Sequence, residues 1–232
     1  MLVRIVSLLI GYAFGLFQTS YIYGRKNGID IREHGSGNAG TTNALRTLGK
    51  KAGAVTLLGD CLKCALAILA VYLLFGKSHP QLVRLLELYA GAGCILGHNF
   101  PFYLHFKGGK GIAATAGMVL SFHPWFVVTG VVVFFTAFFT THYVSLGSLL
   151  VYTLLIIQLV ISGQMGLFAE MTQGQLVEMY ILFGCMTALA FWKHRENIGR
   201  LLHGTERKTY LTKKNKVEDG SGHQAGQESE GH

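Results

Sequence analysis

The sequence has little charge. Only 14% of its 232 residues are Asp, Glu, Lys or Arg, half are hydrophobic, and the mean hydropathy is +0.39. A soluble domain carries about 25% charged residues, so the composition excludes an ordinary soluble domain. Apolar runs of about 20 residues, long enough to cross hydrocarbon, recur along the chain. We therefore predict an all-α, polytopic membrane protein.

Several catalytic motifs are missing. The chain contains no HxxxxD, GxSxG or HExxH, which excludes the common coenzyme A-dependent acyl transfer, lipase and zinc protease chemistries. The segment Lys107–Gly111 is not a Walker A loop, because Leu104 occupies the position of the leading glycine and Lys110 is followed by Gly111 and Ile112 with no Ser or Thr. The four cysteines lie in apolar segments, and the CxxC of Cys61 and Cys64 has no second ligand pair. We therefore predict inert thiols.

The placement of charge indicates a topology. Lys and Arg crowd into Arg25–Lys51 and again from Lys193 onward, and both regions are expected to be cytoplasmic. An even number of crossings must then separate them, so we predict that Ile112–Thr141 is a hairpin turning at residues 121–124. The result is about seven spans, with the N-terminus outside and the C-terminus inside. The spans are Leu2–Tyr23, Ala52–Phe75, Leu85–Leu104, the two arms of the hairpin, Leu146–Phe168 and Leu176–Trp192.

The chain divides into two regions. We predict a membrane-embedded domain over residues 1–204 and a disordered, charged cytoplasmic tail over residues 205–232, which lacks apolar periodicity. Within the second span, Asp60 and Lys63 are at positions i and i+3, share a helix face and can form an ion pair. We expect this pair to be structural. Nucleic-acid binding is excluded because the basic segments flank spans and no aromatic residues interleave with them.

Four polar segments fall on the predicted cytoplasmic face. In the first, glycines permit close backbone approach, small polar side chains donate hydrogen bonds and an arginine adds a cation, a combination suited to phosphate. A plain glycine-rich turn is the alternative. The candidate residues of this segment are Gly35, Ser36, Gly37, Asn38, Asn43 and Arg46.

The other three segments also favour anions. Lys107, Gly108, Gly109 and Lys110 precede a predicted helix N-terminus, whose dipole attracts anions, although a positive-inside loop explains them too. Ser145 opens a span, where either helix capping or a polar site accounts for it. The fourth segment closes the last span with a histidine and an amide, His194 and Asn197, flanking Arg195 and Glu196.

Together these segments resemble one enzyme family. GSGNAGTTN at 35–43, GHNFPFYLHFKGGKGIAAT at 97–115, YVSLGS at 143–148 and HRENIGRLLHGTE at 194–206 are closely similar to the motifs of the bacterial acyl-phosphate:glycerol-3-phosphate acyltransferases, the PlsY family. The DxxK of Asp60 and Lys63 also resembles the second span of that family. The chain differs at Cys64, where the family commonly has glycine, and in its charged tail.

The resemblance implies a multi-pass enzyme of the bacterial cytoplasmic membrane. It implies transfer of a fatty acyl group from acyl phosphate to the 1-hydroxyl of glycerol 3-phosphate, which gives lysophosphatidic acid and inorganic phosphate for phospholipid synthesis. No cofactor, metal or obligate protein partner is implied; the expected partners are the two substrates and membrane lipids. A transporter or channel for organic phosphates and a structural scaffold are the alternatives from other classes, although the two halves show no internal repeat.

The expected roles divide the candidate residues into two groups. The catalytic group combines a candidate base with phosphate-neutralising donors and consists of His194, Ser36, Asn38, Arg46 and Lys110. The substrate-binding group consists of Gly35, Gly37, Asn43, Lys107, Gly108, Gly109, Ser145 and Asn197. For His194, we leave open whether it accepts the proton of the hydroxyl or only donates a hydrogen bond while a substrate phosphate takes the proton.

Overall fold

A computed structural model describes residues 1–210 of the chain. Within those residues every regular element is a helix, so the all-α prediction is confirmed. Short 3-10 turns at Ile31–Glu33 and Phe102–Leu104 join some of the helices. The α-helices are α1 (Leu2–Gly15), α2 (Thr19–Lys26), α3 (Thr41–Leu48), α4 (Lys50–Phe75), α5 (Val83–Asn99), α6 (Ile112–Phe122), α7 (Pro124–Thr141), α8 (Val144–Gln164), α9 (Gln173–Lys193) and α10 (Arg195–Leu202).

Five helical segments are long and apolar enough to cross a membrane. They are Leu2–Lys26, which comprises α1 and α2, and the single helices α4, α7, α8 and α9. The remaining two predicted spans correspond to α5, with 17 residues, and α6, with 11. Because these two are shorter than a full crossing, the polytopic architecture is confirmed but the number of seven spans stays a prediction.

The predicted hairpin has its break at His123. α6 ends at Phe122, His123 is extended with φ −163° and ψ 137°, and α7 begins at Pro124. Proline disfavours helical geometry in the residue before it, and its own fixed φ suits the first position of a helix. His123 Nδ1 also accepts a hydrogen bond of 3.2 Å from the amide of Trp125, which caps α7. The prediction of two arms separated here is confirmed.

The first predicted span contains a break that its hydropathy does not reveal. α1 ends at Gly15 and α2 starts at Thr19, so Leu2–Tyr23 is not one continuous helix. Gln18 is fully buried and its Nε2 donates hydrogen bonds of 3.1 Å to the carbonyls of Gly15 and His98. Backbone carbonyls freed inside a membrane need such internal donors, and Gln18 supplies one of them.

Helix α5 forms the centre of the bundle and packs against α1, α4, α6 and α9. Its contact with α1 is close because both helices carry glycines where they meet. A Cβ atom at Gly93 would lie 2.0 Å from the carbonyl oxygen of Leu8, and one at Gly11 would lie 2.0 Å from that of Ala90. Small residues permit this close packing of membrane helices. The C-terminal end of α5, at His98 and Asn99, is thereby fixed beside the polar segments.

Candidate active site

The four polar segments meet at one end of the helix bundle. Arg46 reaches residues 207–209, Lys110 reaches Asn197, and Ser145 reaches Glu206. These contacts join parts of the chain separated by up to 163 residues. The structure therefore brings together the segments that the sequence placed on one membrane face.

The first segment is shaped by the side chain of Asn43. Its Nδ2 donates to the carbonyls of Ile31 and His34, both at 2.9 Å, and its Oδ1 accepts from the amide of Ser36 at 2.9 Å. Both Nδ2 protons are thus used within the loop, so Asn43 holds the loop in shape, and its predicted substrate contact stays a prediction. At Gly35 φ is 61°, and a Cβ atom there would lie 2.3 Å from Asn43 Oδ1. Both the backbone conformation and this close approach require glycine at position 35.

Other side chains of this segment remain accessible. Ser36 is exposed and Asn38 is half-buried, so both can meet a ligand from solvent. Gly37 has φ 70°, a left-handed conformation that glycine adopts without strain. A phosphate contact by these three residues stays a prediction.

The second segment is attached to the end of α5. The amide of Gly108 donates to the carbonyl of Asn99 at 3.3 Å, and that of Gly109 donates to the carbonyl of His98 at 3.1 Å. These two N–H groups are committed within the fold, so a contact of Gly108 or Gly109 with substrate stays a prediction. A Cβ atom at Gly109 would lie 2.7 Å from the carbonyl oxygen of Ala39, which shows that the first two segments touch.

Glu206 lies at the centre of the cluster. Its Oε1 accepts hydrogen bonds from Ser145 Oγ at 2.9 Å and from Asn197 Nδ2 at 2.6 Å, and its Oε2 accepts one from Arg200 Nε at 2.7 Å. Asn197 Oδ1 in turn accepts a hydrogen bond from Lys110 Nζ. Ser145, Asn197 and Lys110 were predicted site residues, whereas Glu206 and Arg200 were not.

The position of Glu206 corrects the predicted start of the tail. Residues 205–210 make defined contacts: Thr209 donates its amide to the carbonyl of His142 at 2.9 Å, and Arg46 Nη2 donates to the carbonyl of Arg207 at 2.8 Å and to the hydroxyl of Thr209. The polar composition of this segment resembled a tail, but its carboxylate and carbonyls match the cations of the site. The rest of the predicted tail, residues 211–232, lies outside the described residues.

His194 is buried between the end of α9 and α10, with 3% of its surface exposed. Its Nδ1 lies 2.8 Å from the carbonyl oxygen of Ala190, which can only accept, so Nδ1 carries the proton and Nε2 has the lone pair. Burial and the charge of Lys110 lower the pKa of His194 to about 4. The ring is therefore neutral near pH 7 and can accept a proton at Nε2.

Lys110 and Glu206 carry the main opposing charges beside this ring. Burial, followed by the nearby charge of Arg200, lowers the pKa of Lys110 to about 8. Burial by itself would raise the pKa of Glu206, but hydrogen bonds from Asn197, Arg200 and Ser145 hold it below its usual value. At pH 7 Lys110 is thus mostly protonated, because its pKa lies only about one unit higher, and Glu206 is ionised.

The remaining polar residues of interest lie around this cluster. Lys107 is exposed, and so are Arg195 and Glu196. The guanidinium of Arg195 lies 4.7 Å from the ring centre of Trp192 and donates to its carbonyl at 3.1 Å. Within residues 1–210, no group of three or more His, Cys, Asp or Glu side chains is placed to hold a metal ion.

The fold and the site together define an integral membrane protein with a cationic, anion-suited site at one end of its helices. Residues 5–204 match the family model described as glycerol-3-phosphate acyltransferase, and the chain belongs to that family. It is therefore an acyltransferase, as the sequence motifs predicted. This membership supports the enzyme over the transporter, channel and scaffold alternatives.

Similar proteins agree with this assignment. A glycerol-3-phosphate acyltransferase of Clostridioides difficile (strain 630) is 41% identical over 206 residues, which cover 88% of this chain and 94% of that protein. Glycerol-3-phosphate acyltransferase 2 of Bacillus cereus (strain ZK / E33L) is 38% identical over 211 residues, covering 90% and 96%. Among solved structures, PlsY (YgiH) in its glycerol 3-phosphate form gives a TM-score of 0.76 at 29% identity, covering 89% of this chain and 96% of that chain.

Proposed function

We propose that the protein transfers a fatty acyl group from an acyl phosphate to the 1-hydroxyl of glycerol 3-phosphate. The products are 1-acyl-glycerol 3-phosphate and inorganic phosphate, and the reaction serves phospholipid synthesis in a bacterial cytoplasmic membrane. The family name and the PlsY structures in glycerol 3-phosphate and lysophosphatidic acid forms support the acceptor and the product class. The acyl phosphate donor rests on the motif resemblance.

The observation that carries the proposal is the convergence of cations and neutral donors from four segments. Arg46, Lys110 and Arg200 gather around one carboxylate, Glu206, which leaves an excess of positive charge. Both proposed substrates carry phosphate, and forked or flexible cations with hydroxyl and amide donors are the groups that bind phosphate. A site with such an excess suits two phosphates better than one.

We assign the phosphate contacts by accessibility. Ser36, Asn38 and the backbone of Gly37 face solvent at the mouth of the site and form a cradle for one phosphate. Lys110 neutralises charge within the site, and the exposed Lys107 assists it at the rim. Arg46 neutralises a phosphate after exchanging its present contacts with residues 207–209. Asn43 and the two glycines at 108 and 109 act by holding their loops in shape.

For the chemical step we assign His194 as the proton acceptor. Its Nδ1 proton is held by the carbonyl of Ala190, so the neutral ring offers only Nε2, an acceptor, to the substrate. The 1-hydroxyl of glycerol 3-phosphate gives its proton to Nε2 while its oxygen forms an ester bond to the acyl carbon. The bond from the acyl carbon to the phosphate oxygen breaks, and inorganic phosphate leaves. Because an acyl phosphate is a reactive anhydride, positioning and charge stabilisation supply much of the rate.

The acyl chain has an apolar environment next to the site. The long helices α4, α7, α8 and α9 present many exposed Leu, Val, Ile and Phe side chains along their length. Burying a methylene in such surroundings is worth about 0.8 kcal/mol, so a long chain contributes substantially to donor binding. The positive-inside tendency supports an orientation with the polar site at the cytoplasmic surface, the N-terminus outside and the C-terminus inside.

The test is phosphate release by the purified protein in detergent. Release is expected only when acyl phosphate and glycerol 3-phosphate are both present. His194→Gln should lower kcat by about 100-fold or more, within the range that general base catalysis supplies. His79→Gln, at a half-buried histidine just beyond the far end of α4, is the matched control and should retain the rate of the unmodified protein. Absence of release from the unmodified protein with donors of several chain lengths would contradict the proposal.

A further inference from the structure

The predicted pair of Asp60 and Lys63 in α4 is confirmed but has no role in the reaction described so far. Lys63 Nζ lies 2.9 Å from Asp60 Oδ1, with the two side chains 4% and 1% exposed. Thr19 Oγ1, at the start of α2, donates to the same Asp60 oxygen at 3.0 Å. Ionisable groups at membrane depth are costly and are retained where they have a function.

Lys63 also connects the pair to α5. Besides Asp60, its ammonium group donates to the carbonyl of Phe17 at 2.6 Å and to Nδ1 of His98 at 2.9 Å. An ammonium group has only donors, so Nδ1 of His98 accepts and the ring proton lies on Nε2. The ring is 2% exposed, and this bond fixes its tautomer and its orientation at the end of α5.

The opposite edge of the His98 ring supports the second polar segment. A Cβ atom at Gly109 would lie 2.1 Å from His98 Nε2 and 2.7 Å from the carbonyl oxygen of Ala39. The loop thus packs directly on the ring and on the first segment. Its backbone is also bonded to the last turn of α5, through the amide of Gly109 and the carbonyl of His98 at 3.1 Å.

We propose that Asp60, Lys63 and His98 are positioning residues: the buried pair fixes the His98 ring, and the ring holds the Gly108–Lys110 loop against the first segment. None of the three touches substrate, and their effect on the reaction rests on the proposed function above. A displacement of about 1 Å within a catalytic site can lower the rate by about 100-fold. Loss of the ring's support should therefore reduce turnover and loosen the loop.

The decisive variant replaces both charges, Asp60→Leu with Lys63→Met. Substituting a buried ion pair by apolar residues of similar size is often neutral for stability, so the protein should unfold near its usual temperature. We expect kcat/KM to fall about 10- to 100-fold. We also expect trypsin to cleave the folded protein several-fold faster after Lys107 and Lys110, a readout that needs no activity.

Two comparisons separate positioning from helix packing. Arg4 and Glu178 form another interhelical ion pair, 2.6 Å apart, near the N-terminal end of α1 and away from Lys63. Their joint replacement, Arg4→Met with Glu178→Leu, should leave kcat/KM and the rate of trypsin cleavage unchanged. In a His98→Leu background, replacing Asp60 and Lys63 should lower kcat/KM less than about twofold further, since residues acting through one another are not additive.

The proposal is overturned if the Asp60→Leu, Lys63→Met protein keeps kcat/KM within about twofold and resists trypsin like the unmodified protein. If that variant does not fold, His98→Leu, which keeps the ion pair, carries the test: normal activity and normal protection of the loop refute the proposal. The two proposals can also fail separately. If the unmodified protein releases no phosphate but the Asp60→Leu, Lys63→Met variant is still cleaved faster than it, the positioning role is supported and the proposed function is contradicted.

Discussion

The pH dependence of the reaction provides a sharp test of the site because it isolates Lys110. Burial lowers the pKa of this residue to about 8, well below the ordinary lysine value of 10.5. Only the protonated amine neutralises phosphate, so binding weakens as pH rises through the pKa. In the free enzyme about one tenth of Lys110 is protonated one unit above its pKa, and kcat/KM at pH 9 should be about tenfold below its plateau.

The assay is the initial rate of phosphate release at subsaturating glycerol 3-phosphate over roughly pH 6 to 10, corrected for spontaneous hydrolysis of the donor. Lys110→Arg should abolish the basic limb, even at a lower plateau, because a guanidinium stays protonated throughout that range. Lys107→Arg changes an exposed neighbour in the same loop and should leave the limb in place. A basic limb that persists in Lys110→Arg would show that another group titrates and would refute this reasoning.

Three further predictions concern the residues that hold the site together. Glu206→Gln should lower stability by about 2 to 3 kcal/mol, since hydrogen bonds to a charged group are lost and Arg200 is left unpaired. Chemical denaturation measures this, with Glu170→Gln at an exposed glutamate as the control, and an unchanged midpoint of Glu206→Gln would contradict it. Gly109→Ala should reduce kcat/KM about 100-fold, because its Cβ would lie 2.1 Å from His98 Nε2, whereas Gly184→Ala, which meets no neighbour, should not. A chain ending after Gly204 should lose activity and one ending after Tyr210 should keep it; equal rates would argue against any role for residues 205–210.

Much of the architecture follows from hydropathy and charge placement. The helix break at His123 was predictable because the placement of the two basic regions favoured an even number of crossings between them and because Pro124 marks a helix start. The break between Gly15 and Thr19 was not, because it lies within one apolar run and depends on donors to its free carbonyls: Gln18 within the break and Lys63 from α4. Hydropathy indicates whether a segment prefers lipid or water, and it contains no information about hydrogen-bond donors from distant parts of the chain.

The site was predictable as a set of segments, but less so as a set of contacts. Local glycine and cation patterns identified the segments holding Arg46, Lys110, Ser145 and Asn197, which the structure joins. Glu206 was missed because it follows Gly204 in a polar stretch that resembles a tail, although it is the last residue of the fourth motif. Its partners come from α8 and α10, so only the folded chain shows that its charge is buried and paired.

The central claim is that glycine-rich and cationic segments from distant parts of the chain form one site at the cytoplasmic surface. Single cysteines at Ser36, Lys107 and Arg195, all exposed, test it most directly in a protein whose four native cysteines are replaced. A membrane-impermeant maleimide should label all three in inside-out vesicles and none in intact cells. Labelling of any one of them from the outside, with the others labelled from the inside, would contradict the account.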